Sequence, residues 1–595
     1  MKHAKCYKKG YPRPRFVREN FTSLDGEWDF AFDDENAGER KKWHKSGVND
    51  LKINVPFAYQ CALSGINVED LHKTVWYSRT FTAEKKRNKR LLINFEGADH
   101  EAKVWLNGEL LGTHAGGYAR FTFDLTDYLK NGENLLVVKC VDRRSALTVR
   151  GKQRYVEKNI SCFYTDTTGI WKPVWLEEVG DGYLSGVSAL CNYAECEAVV
   201  EYKIQRFTDG LSLETRLYFD GEFVRSTEVT CDDDYGKIKL DLTLKNKVLP
   251  MKPWSAGRSG QFFDVEYILK KNGKEIDRAG SYVGLVDYRV CGNEIQLNYL
   301  SCLYMRMVLD QGYFEGGDLT APSEEALTAD VELIKRAGFN GVRIHQKIED
   351  ERFYYYCDML GLYFWLEMPA FYDFTSASAE AATREWAEIV NQYKGYLSLM
   401  AYVPVNESWG VLQTSENEKM QAFTAGLYYL TKSLDPTRLV ISNDGWEHTI
   451  SDVATLHNYA QTGKEIKLAY SDMQGFMNGK MPLDLHTRSP YADGFSYGGQ
   501  PVIISEYGGV AYAGDQSGWG YGESADSEEG YINRVRDLTA AIVGLKDCQG
   551  YCYTQFTDVM QEQNGLFRID RSPKIAIEKM REINGITRSA TIEEV

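Results

Sequence analysis

The sequence lacks the features that mark membrane, secreted and metal-binding proteins. No apolar run approaches the roughly eighteen residues of a transmembrane helix, and the basic first residues, Met1 to Tyr7, lack the apolar segment of a signal peptide. The twelve cysteines contain no C-x-x-C pair, so neither a zinc site nor a disulfide framework is indicated. We therefore expect a cytoplasmic protein without a metal ion or other cofactor.

The sequence also has fewer positively than negatively charged residues. The 69 Lys and Arg residues are outnumbered by 85 Asp and Glu residues, which gives a formal net charge of −16. Nucleic acids and anionic membranes attract basic surfaces, so neither is an expected partner. Hydrophobic residues make up 43% of the chain and charged residues 26%, a composition that is ordinary for a globular protein and excludes a disordered one.

The 595 residues are too many for one hydrophobic core, and the texture of the sequence changes twice. Residues 1–180 contain short alternating runs separated by turn signals, which predict a β-sandwich. Residues 181–290 continue with short strands, over a length suited to an immunoglobulin-like β-sandwich. Residues 291–595 alternate strand-like with helix-like segments, which predicts a (β/α)8 TIM barrel.

Eight strands are predicted in the third segment. They are Tyr304–Asp310, Gly341–His345, Tyr363–Glu367, Met400–Glu407, Leu439–Asn443, Val453–Tyr459, Val502–Glu506 and Gly550–Gln555. The clearest helix runs from Glu324 to Ala337, with Ser323 as its N-cap and Gly338 just beyond its end. The long stretch between strands six and seven has little periodicity and is predicted to be an active-site loop insertion.

Two glutamates follow buried apolar runs. Glu407 follows residues 403–406 and Glu506 follows residues 502–505, at the predicted ends of strands four and seven. The carboxyl ends of barrel strands share one face, so we expect the two side chains to meet there. Carboxylates about 5–5.5 Å apart suit retaining glycoside hydrolysis, in which one attacks the anomeric carbon and the other protonates the leaving oxygen. The alternative for Glu407 is a structural glutamate that forms a salt bridge or caps the next helix.

The segments around these glutamates resemble glycoside hydrolase family 2, which includes β-galactosidases, β-glucuronidases and β-mannosidases. The motifs that carry the resemblance are N-E-S-W-G at 406–410, S-E-Y-G at 505–508, W-L-N-G at 105–108, G-I-W-K-P-V-W-L at 169–176 and A-G-F-N-G-V-R at 337–343. The resemblance implies that residues 1–180 form a jelly-roll sugar-binding domain. It also implies that Glu407 is the acid/base and Glu506 the nucleophile of a two-step covalent mechanism, in which the acid needs a raised pKa.

Other residues at predicted strand ends are candidates for binding the sugar. An amide at Asn406 can hydrogen-bond the sugar 2-hydroxyl. Arg343 can keep Glu506 ionised, with an internal barrel ion pair as the alternative. The resemblance implies that Tyr459 hydrogen-bonds the nucleophile, with packing at the barrel rim as the alternative. The remaining candidates are His345, Glu367, Asp310, Gln311, Asn443, Asp444 and Trp446.

Departures from the family pattern bear on the substrate. Family members that bind glucuronic acid carry an Asn-x-Lys cluster after strand eight, whereas residues 561–567 read Q-E-Q-N-G-L-F. Strand eight lacks the tryptophan of many relatives, so Tyr553 is the expected sugar platform. We predict an exo-acting hydrolase that removes terminal β-linked sugars from small-molecule glycosides, with β-galactosidase-like activity. The alternatives are arabinosidase, β-glucosidase, β-mannosidase and, least favoured, β-glucuronidase activity.

Two other classes of function, a serine hydrolase and a carbohydrate-binding protein, are alternatives to glycoside hydrolysis. Residues 494–498 match the G-x-S-x-G pattern of serine hydrolases, but that motif needs a strand before it and a helix after it, and here a strand follows. A non-catalytic carbohydrate-binding protein on the same fold is the second alternative, and the presence of both glutamates with Asn406 argues against it. The sequence leaves the oligomeric state open, a homo-oligomer included.

Overall fold

A computed structural model describes residues 1–244, 251–256, 260–299, 301–480, 488–512 and 518–587. The described part contains two β-sandwiches followed by a curled sheet of eight parallel strands with helices around it. The predicted fold class is confirmed. The predicted boundaries after residues 180 and 290 stay predictions, and residues 588–595 of the predicted barrel segment lie outside the described residues.

The first sandwich packs a four-stranded sheet against a six-stranded one, both antiparallel. Its strands are Phe21–Ser23, Gly26–Phe32, Leu51–Val55, Thr74–Ala83, Lys89–Phe95, Ala98–Asp99, Glu101–Leu106, Glu109–Ala115, Phe121–Asp124, Gly132–Val141, Gly169–Ile170 and Val174–Gly180. Short helical turns lie at Trp43–Ser46 and Ala62–Ser64. Asn107 and Gly108 form a hairpin turn with φ of +54° and +90°, as the Asn-Gly pair predicts.

The second sandwich packs a three-stranded sheet on a four-stranded one. Its strands are Tyr183–Asn192, Glu197–Gln205, Leu211–Phe219, Glu222–Thr230, Tyr235–Asp241, Phe263–Lys271 and Lys274–Val283, followed by a small sheet of Tyr288–Cys291, Glu294–Leu297 and Ser301–Cys302. The N-terminal segment lies against this sandwich, because Val17 exchanges two 2.8 Å backbone hydrogen bonds with Gly280. It also reaches the barrel, where the Tyr7 hydroxyl donates to Glu324 at 2.8 Å.

The barrel strands pair in the order β5-β4-β3-β2-β1-β8-β7-β6, all in parallel. They are β1 Met305–Asp310, β2 Gly341–Ile344, β3 Tyr363–Glu367, β4 Leu399–Val403, β5 Leu439–Val440, β6 Ala454–Asn458, β7 Val502–Gly508 and β8 Cys548–Thr554. The helices are α1 Glu324–Arg336, α2 Glu351–Leu360, α3 Ser376–Tyr393, α4 Glu418–Leu434, α5 Gly463–Ala469, α6 Met473–Met477, α7 Glu528–Val543 and α8 Ile577–Asn584. Within the described ranges, no helix has the length and hydropathy needed to cross a membrane.

The predicted elements match the observed ones closely, with differences at their ends. The α1 helix begins as predicted, and the Ser323 hydroxyl accepts from the Ala326 N–H. Strand β4 ends at Val403, earlier than predicted, because Pro404 has no N–H to continue the ladder. Glu407 is therefore in a turn after the strand and not at its end. The predicted loop between β6 and β7 contains α5 and α6, and residues 481–487 of that stretch lie outside the described residues.

The curled sheet has no ladder between β5 and β6 in the described residues, so the predicted closed barrel is closed there by other bonds. The Asp452 N–H donates to the Val440 carbonyl at 2.9 Å, and the Val440 N–H donates to the Asp452 carboxylate at 2.8 Å. This carboxylate also accepts from the Tyr428 hydroxyl at 2.8 Å and pairs with Lys432 at 2.5 Å. Asp452 thus holds β5 against the segment before β6, which we call the seam of the barrel, and joins this seam to α4.

Candidate active site

Glu407 lies in a tight turn beyond β4. Glu407 and Ser408 both have left-handed backbone angles, with φ of +50° and +56°, which non-glycine residues adopt only when surrounding contacts hold them. The Glu407 N–H donates to the Asp444 carbonyl at 2.9 Å. The Ser408 N–H and hydroxyl oxygen bond the two ends of the Asn443 amide, each at 2.9 Å. Asn443, predicted to contact the sugar, therefore holds this turn instead.

Glu506 stands on β7, which is buried along its whole length. Its Oε1 accepts from Arg343 Nη1 at 2.9 Å. Its Oε2 accepts from the Tyr459 hydroxyl, and the Tyr459 ring stacks on Tyr521 with centroids 3.5 Å apart. The structure thus brings two of the predicted residues, Arg343 and Tyr459, against the predicted nucleophile. Both of its oxygens are oriented by donors.

The two glutamates face each other. One carboxylate oxygen from each, together with a ring nitrogen of His457, lie within 4.8 Å of one another. This separation fits the about 5–5.5 Å of retaining glycosidases and leaves no room for the water that inverting enzymes hold between their carboxylates. The predicted approach of two residues far apart in the sequence is therefore present in the structure.

His457 was not predicted, yet it contacts three carboxylates. Its Nδ1 is 2.8 Å from Glu407 Oε1 and 3.5 Å from Glu506 Oε2, and its Nε2 is 2.9 Å from Asp444 Oδ2. Alternation along a strand could have identified it, because His457 on β6 and Tyr459 just after β6 are two positions apart and are expected on the same side. Burial lowers the His457 pKa, but the charge of Glu506 and the hydrogen bonds to Asp444 and Glu407 outweigh it and raise the pKa to about 10.

The pKa of Glu407 is shifted in the opposite direction. Burial raises it, but the hydrogen bond from His457 and the histidine charge outweigh burial and lower the Glu407 pKa to about 2. The surroundings of Glu407 thus act against the raised pKa that was expected of the acid. Glu407, His457 and Glu506 are also a possible donor set for a metal ion. His457 Nδ1 and Glu407 Oε1 are 2.8 Å apart, which is a direct hydrogen-bond distance, so in this structure a proton and not a metal ion joins the two atoms.

Arg343 is the centre of a buried ion-pair network. Its Nε donates to Glu367 at 2.7 Å, and its Nη1 lies 2.6 Å from Asp444 Oδ2. Its Nη2 donates to Asn406 Oδ1 at 2.6 Å. Burial lowers the Arg343 pKa, but the charges of Asp444, Glu367 and Glu506 outweigh it and raise the pKa well above its usual value. The two interpretations of Arg343, internal ion pair and partner of Glu506, both hold.

Glu367 and His345 both contact Arg343. Glu367 is 0% exposed, so it supports Arg343 and does not line the pocket as predicted. Burial raises its pKa to about 7 against the opposing charge of Arg343. His345 Nδ1 is 3.0 Å from Glu367 and 3.2 Å from Arg343 Nη2. Burial, Lys152 and Arg343 lower the His345 pKa well below its usual value, which keeps the ring neutral.

Asn406 and Trp446, both predicted to bind the sugar, each have a buried N–H donor without a partner in the part of the chain that the structure describes. Among the described residues, neither Asn406 Nδ2 nor Trp446 Nε1 has a hydrogen-bond partner, although both atoms are buried. Unpaired buried donors cost free energy unless a ligand satisfies them. Trp446 lines a cavity of about 490 Å³ together with Glu407, His457, Tyr459 and Tyr521.

The structure places Asp310 and Gln311 apart from the paired glutamates. The Asp310 carboxylate accepts from the Gly312 N–H at 2.8 Å, and burial together with Asp330 on α1 raises its pKa to about 7. Asp310 thus contacts Gly312 and is influenced by the charge of Asp330, and its predicted contact with the sugar stays a prediction. Gln311 Nε2 donates to Gln555 at 2.6 Å and lies 3.3 Å from Glu562.

Tyr553 does not form the predicted sugar platform. Its ring packs edge-on against Tyr507 with centroids 5.4 Å apart, on the side of β8 that faces α7 and α8. The reason is strand register, because adjacent positions on a strand point to opposite faces. The Trp, Tyr and Phe side chains that line the cavity are Trp446, Tyr459, Tyr470, Phe476 and Tyr521, and Tyr521 comes from a loop that carried no recognisable signal.

A loop of the first sandwich, residues 142–168, covers the barrel mouth. The Tyr164 hydroxyl donates to Glu562, in the loop after β8, and the Tyr164 N–H donates to the Lys152 carbonyl at 2.9 Å. Lys152 is only 8% exposed, and the described residues give its ammonium no hydrogen-bond or ion-pair partner. The charge of Lys152 also lowers the Glu407 pKa, although less than His457 does. A residue from another domain could not be placed in this site from the sequence.

Comparison with known proteins identifies both the first sandwich and the barrel. Residues 21–178 match the sugar binding domain of glycosyl hydrolases family 2, and residues 320–587 match the family's TIM barrel domain. A β-glucuronidase of Bacteroides fragilis is 24% identical over 441 residues, which cover 70% of this chain and 59% of that protein. The β-galactosidase large subunit of Latilactobacillus sakei is 27% identical over 420 residues, 65% of this chain and 61% of that protein. The chain thus spans about three fifths of these relatives.

A solved structure shares the whole fold. The β-glucuronidase of Bifidobacterium dentium, complexed with coumarin-3-O-glucuronide, superposes with a TM-score of 0.77 at 20% identity and covers 98% of this chain and 99% of its own. At this identity the likeness concerns the fold alone. The two domain matches together extend over more than half of the sequence, and on that ground the chain belongs to glycosyl hydrolase family 2.

Proposed function

We propose that this protein hydrolyses terminal β-glycosides with retention of configuration, with Glu506 as the nucleophile and Glu407 as the acid/base. The approach of their carboxylate oxygens to within 4.8 Å carries the proposal. Membership of a glycosidase family supports it. The cytoplasmic location and the oligomeric state stay predictions.

The reaction takes two steps at one carbon. Glu506 attacks the anomeric carbon while a proton passes through Glu407 to the leaving oxygen, which gives a glycosyl ester of Glu506. Water then attacks the same carbon as Glu407 accepts its proton, and the Glu506 carboxylate is released. Arg343 and Tyr459 donate to the two side-chain oxygens of Glu506 and so orient them. The unpaired Asn406 amide is available to the sugar 2-hydroxyl.

The shape of the site favours removal of a single terminal sugar. The cavity of about 490 Å³ is lined by Glu407 and by Tyr459, which bonds Glu506, although Glu506 itself does not line it. It has room for one or two sugar rings, and Trp446 and Tyr521 give it aromatic walls. The 142–168 loop contacts the loop after β8 through Tyr164 and closes one side of the mouth. A pocket walled in this way admits the end of a saccharide, not its interior.

A neutral, β-galactosidase-like substrate is the first candidate. Glu562 is 3% exposed, and its oxygens accept only from neutral donors, Tyr164, Gln311 and Asn564, among the described residues. A carboxylate there without a cation bonded directly to it would repel a uronate and accept from a sugar hydroxyl. Like charges about 4 Å apart cost about 4 kcal/mol at an effective dielectric constant near 20, which is enough to decide between the substrates.

A β-uronide is the second candidate because of Lys152. Its ammonium lies 5.8 Å from the centre of the Phe163 ring but has no hydrogen-bond or ion-pair partner among the described residues, so it could pair with the carboxylate of a uronic acid. The charge of Glu562 also acts on Lys152, so the two groups influence the same part of the site. A hydroxyl that accepts from Lys152 and donates to Glu562 would satisfy both, and for that reason the neutral sugar is preferred.

The test is a panel of nitrophenyl β-glycosides, namely galactoside, glucoside, mannoside, arabinoside and glucuronide. We expect the galactoside to be hydrolysed fastest, with the β-anomer as the first product by NMR. Glu506→Gln should lower kcat by at least about 10⁴-fold, while the exposed control Glu578→Gln leaves it unchanged. Full activity of Glu506→Gln, or a first-formed α-anomer, would overturn the proposal. A fast glucuronide whose rate falls about 100-fold in Lys152→Met would favour the second candidate.

A further inference from the structure

The proposed mechanism requires a proton on Glu407, and the site around His457 suggests where that proton is kept. His457 is 6% exposed and joins Glu407 to Asp444 through its two ring nitrogens, at 2.8 and 2.9 Å. The ring is held by its surroundings, because a Cβ at Gly445 would lie 2.8 Å from it and the Trp446 ring packs on it in a T-shaped contact with centroids 5.4 Å apart. The imidazole therefore has little freedom to leave these contacts.

The charged groups around His457 come from four elements of the barrel. Glu407 approaches from the turn after β4, Asp444 from the loop after β5, and Glu506 from β7 at 3.5 Å. Arg343 on β2 neutralises Asp444 and part of Glu506, with contacts of 2.6 and 2.9 Å. The charge of Lys152, from the 142–168 loop, also acts on Glu407. Three carboxylates thus face one imidazole, which favours its protonated form.

The two members of the pair titrate together. The raised pKa of His457 and the lowered pKa of Glu407 both describe one shared proton that resides on the histidine at neutral pH. An ionised Glu407 cannot by itself act as an acid. This leaves the site with a carboxylate in the right place and its proton on the neighbouring ring.

We infer that His457 is a positioning residue that stores the proton delivered through Glu407 to the leaving oxygen, and that the charge of Glu506 controls its release. The inference rests on the proposed function. Its physical basis is the 3.5 Å distance between His457 Nδ1 and Glu506 Oε2. When Glu506 becomes an ester it loses its negative charge, and the strongest electrostatic attraction that holds the proton on His457 is lost at the same moment.

The proton balance closes over both steps. In the first, the bond between Glu506 and the anomeric carbon forms as the glycosidic bond breaks, and the Nδ1 proton moves to Glu407 and on to the leaving oxygen. His457 is then neutral, with its Nε2 proton still donated to Asp444. In the second, water gives its proton to Glu407, hydroxide replaces Glu506 at carbon, and the restored Glu506 charge draws the proton back to His457.

Leaving-group dependence separates this role from a purely structural one. Alkyl β-glycosides need a proton on the leaving oxygen, whereas dinitrophenyl β-glycosides do not. We expect His457→Gln to lower kcat/KM for alkyl glycosides by about 100-fold or more and to change dinitrophenyl glycosides by less than about fivefold. The matched control is His448→Gln, a buried histidine bonded to Thr455, which should leave the ratio of the two rates unchanged.

The pH profile gives a second result that misfolding cannot imitate. Wild-type activity on alkyl glycosides should persist to alkaline pH, because the His457 proton is lost only near its raised pKa of about 10. In His457→Gln the alkaline limb should move down by more than one pH unit. An equal loss for both leaving groups with an unchanged limb would overturn the inference.

A measurement on the wild-type chain does not depend on any variant folding. Histidine labelled with ¹⁵N in its ring reports protonation by NMR, before and after Glu506 is trapped with a 2-deoxy-2-fluoro β-glycosyl fluoride. We expect an imidazolium signal at pH 7.5 that loses its charge on trapping. A signal unchanged by trapping contradicts the inference even though trapping itself supports the proposed nucleophile. Failure of any glycoside to react would instead remove the proposed function.

Discussion

At the scale of single residues, the donors to Glu506 are the groups whose removal has the clearest consequence. The Tyr459 hydroxyl donates to Oε2 of this carboxylate, while its ring is fixed by stacking on Tyr521. Tyr459→Phe removes the donor and keeps the stack. Because a hydrogen bond to a charged group contributes about 1.5–3 kcal/mol, we expect kcat to fall about 10- to 150-fold with little change in thermal stability.

The control for this substitution is another buried tyrosine. Tyr551 donates from its hydroxyl to Asn584 at 2.8 Å on the outer face of β8. Tyr551→Phe should leave steady-state kinetics unchanged and lower the melting temperature instead. If Tyr459→Phe behaves like Tyr551→Phe in a chromogenic glycoside assay, the hydroxyl does not serve the nucleophile.

The sequence predicted the residues whose type and strand position are both informative. Glu407, Glu506, Arg343 and Tyr459 all follow or lie on apolar strands whose ends share one face, and the structure brings them together. It could not predict the pKa of Glu407. That property depends on His457, which lies 2.8 Å away in space but fifty positions away in the chain.

At the scale of elements, the seam between β5 and β6 is the weak point of the barrel. Asp452 replaces a strand ladder there with two hydrogen bonds to Val440 and a link to Tyr428 and Lys432. Asp452→Ala keeps the backbone bond but leaves the Val440 N–H without its acceptor. We expect the protein to lose about 1–3 kcal/mol of stability, because a buried donor is left unpaired.

A thermal melt of Asp452→Ala beside the exposed control Asp526→Ala tests this. The first variant should melt several degrees below wild type and the second within about one degree, since surface substitutions rarely exceed about 0.5 kcal/mol. Equal melting temperatures would mean that the seam is held by packing alone.

Strand type and order were predictable here, whereas strand ends were not. The period of the apolar residues identifies eight strands, but β4 and β5 stop early because of Pro404 and the Asp452 seam. The face that each side chain occupies was also uncertain, since a shift of one residue reverses it. Tyr553 shows the result, with its ring on the outer side of β8.

At the scale of the whole molecule, the first sandwich and the barrel are joined by buried charge as well as by the 142–168 loop. Arg120 of the sandwich donates to Glu351 of α2 at 2.6 Å and lies 3.2 Å from Glu96 of its own domain. All three side chains are at most 7% exposed. Such contacts between domains are invisible to a sequence argument, because neither the pairing nor the burial leaves a local pattern.

Arg120→Met should therefore destabilise the whole chain and not one domain. Removing one partner of a buried ion pair leaves the other charges uncompensated and costs about 3–5 kcal/mol. Burial already raises the Glu96 pKa to about 7 against the charge of Arg120, and without that charge the carboxyl would bind its proton more tightly still. The folded variant then holds more protons than the unfolded chain, so its stability falls as pH rises. Melting curves should show a loss of stability relative to wild type that is larger at pH 8 than at pH 5.

The exposed Arg143, paired with Glu101 at 2.5 Å on the same sandwich, is the matched control, and Arg143→Met should cost less than about 1 kcal/mol at both pH values. A pH-independent deficit in Arg120→Met would mean that lost packing, not charge, is what the interface depends on.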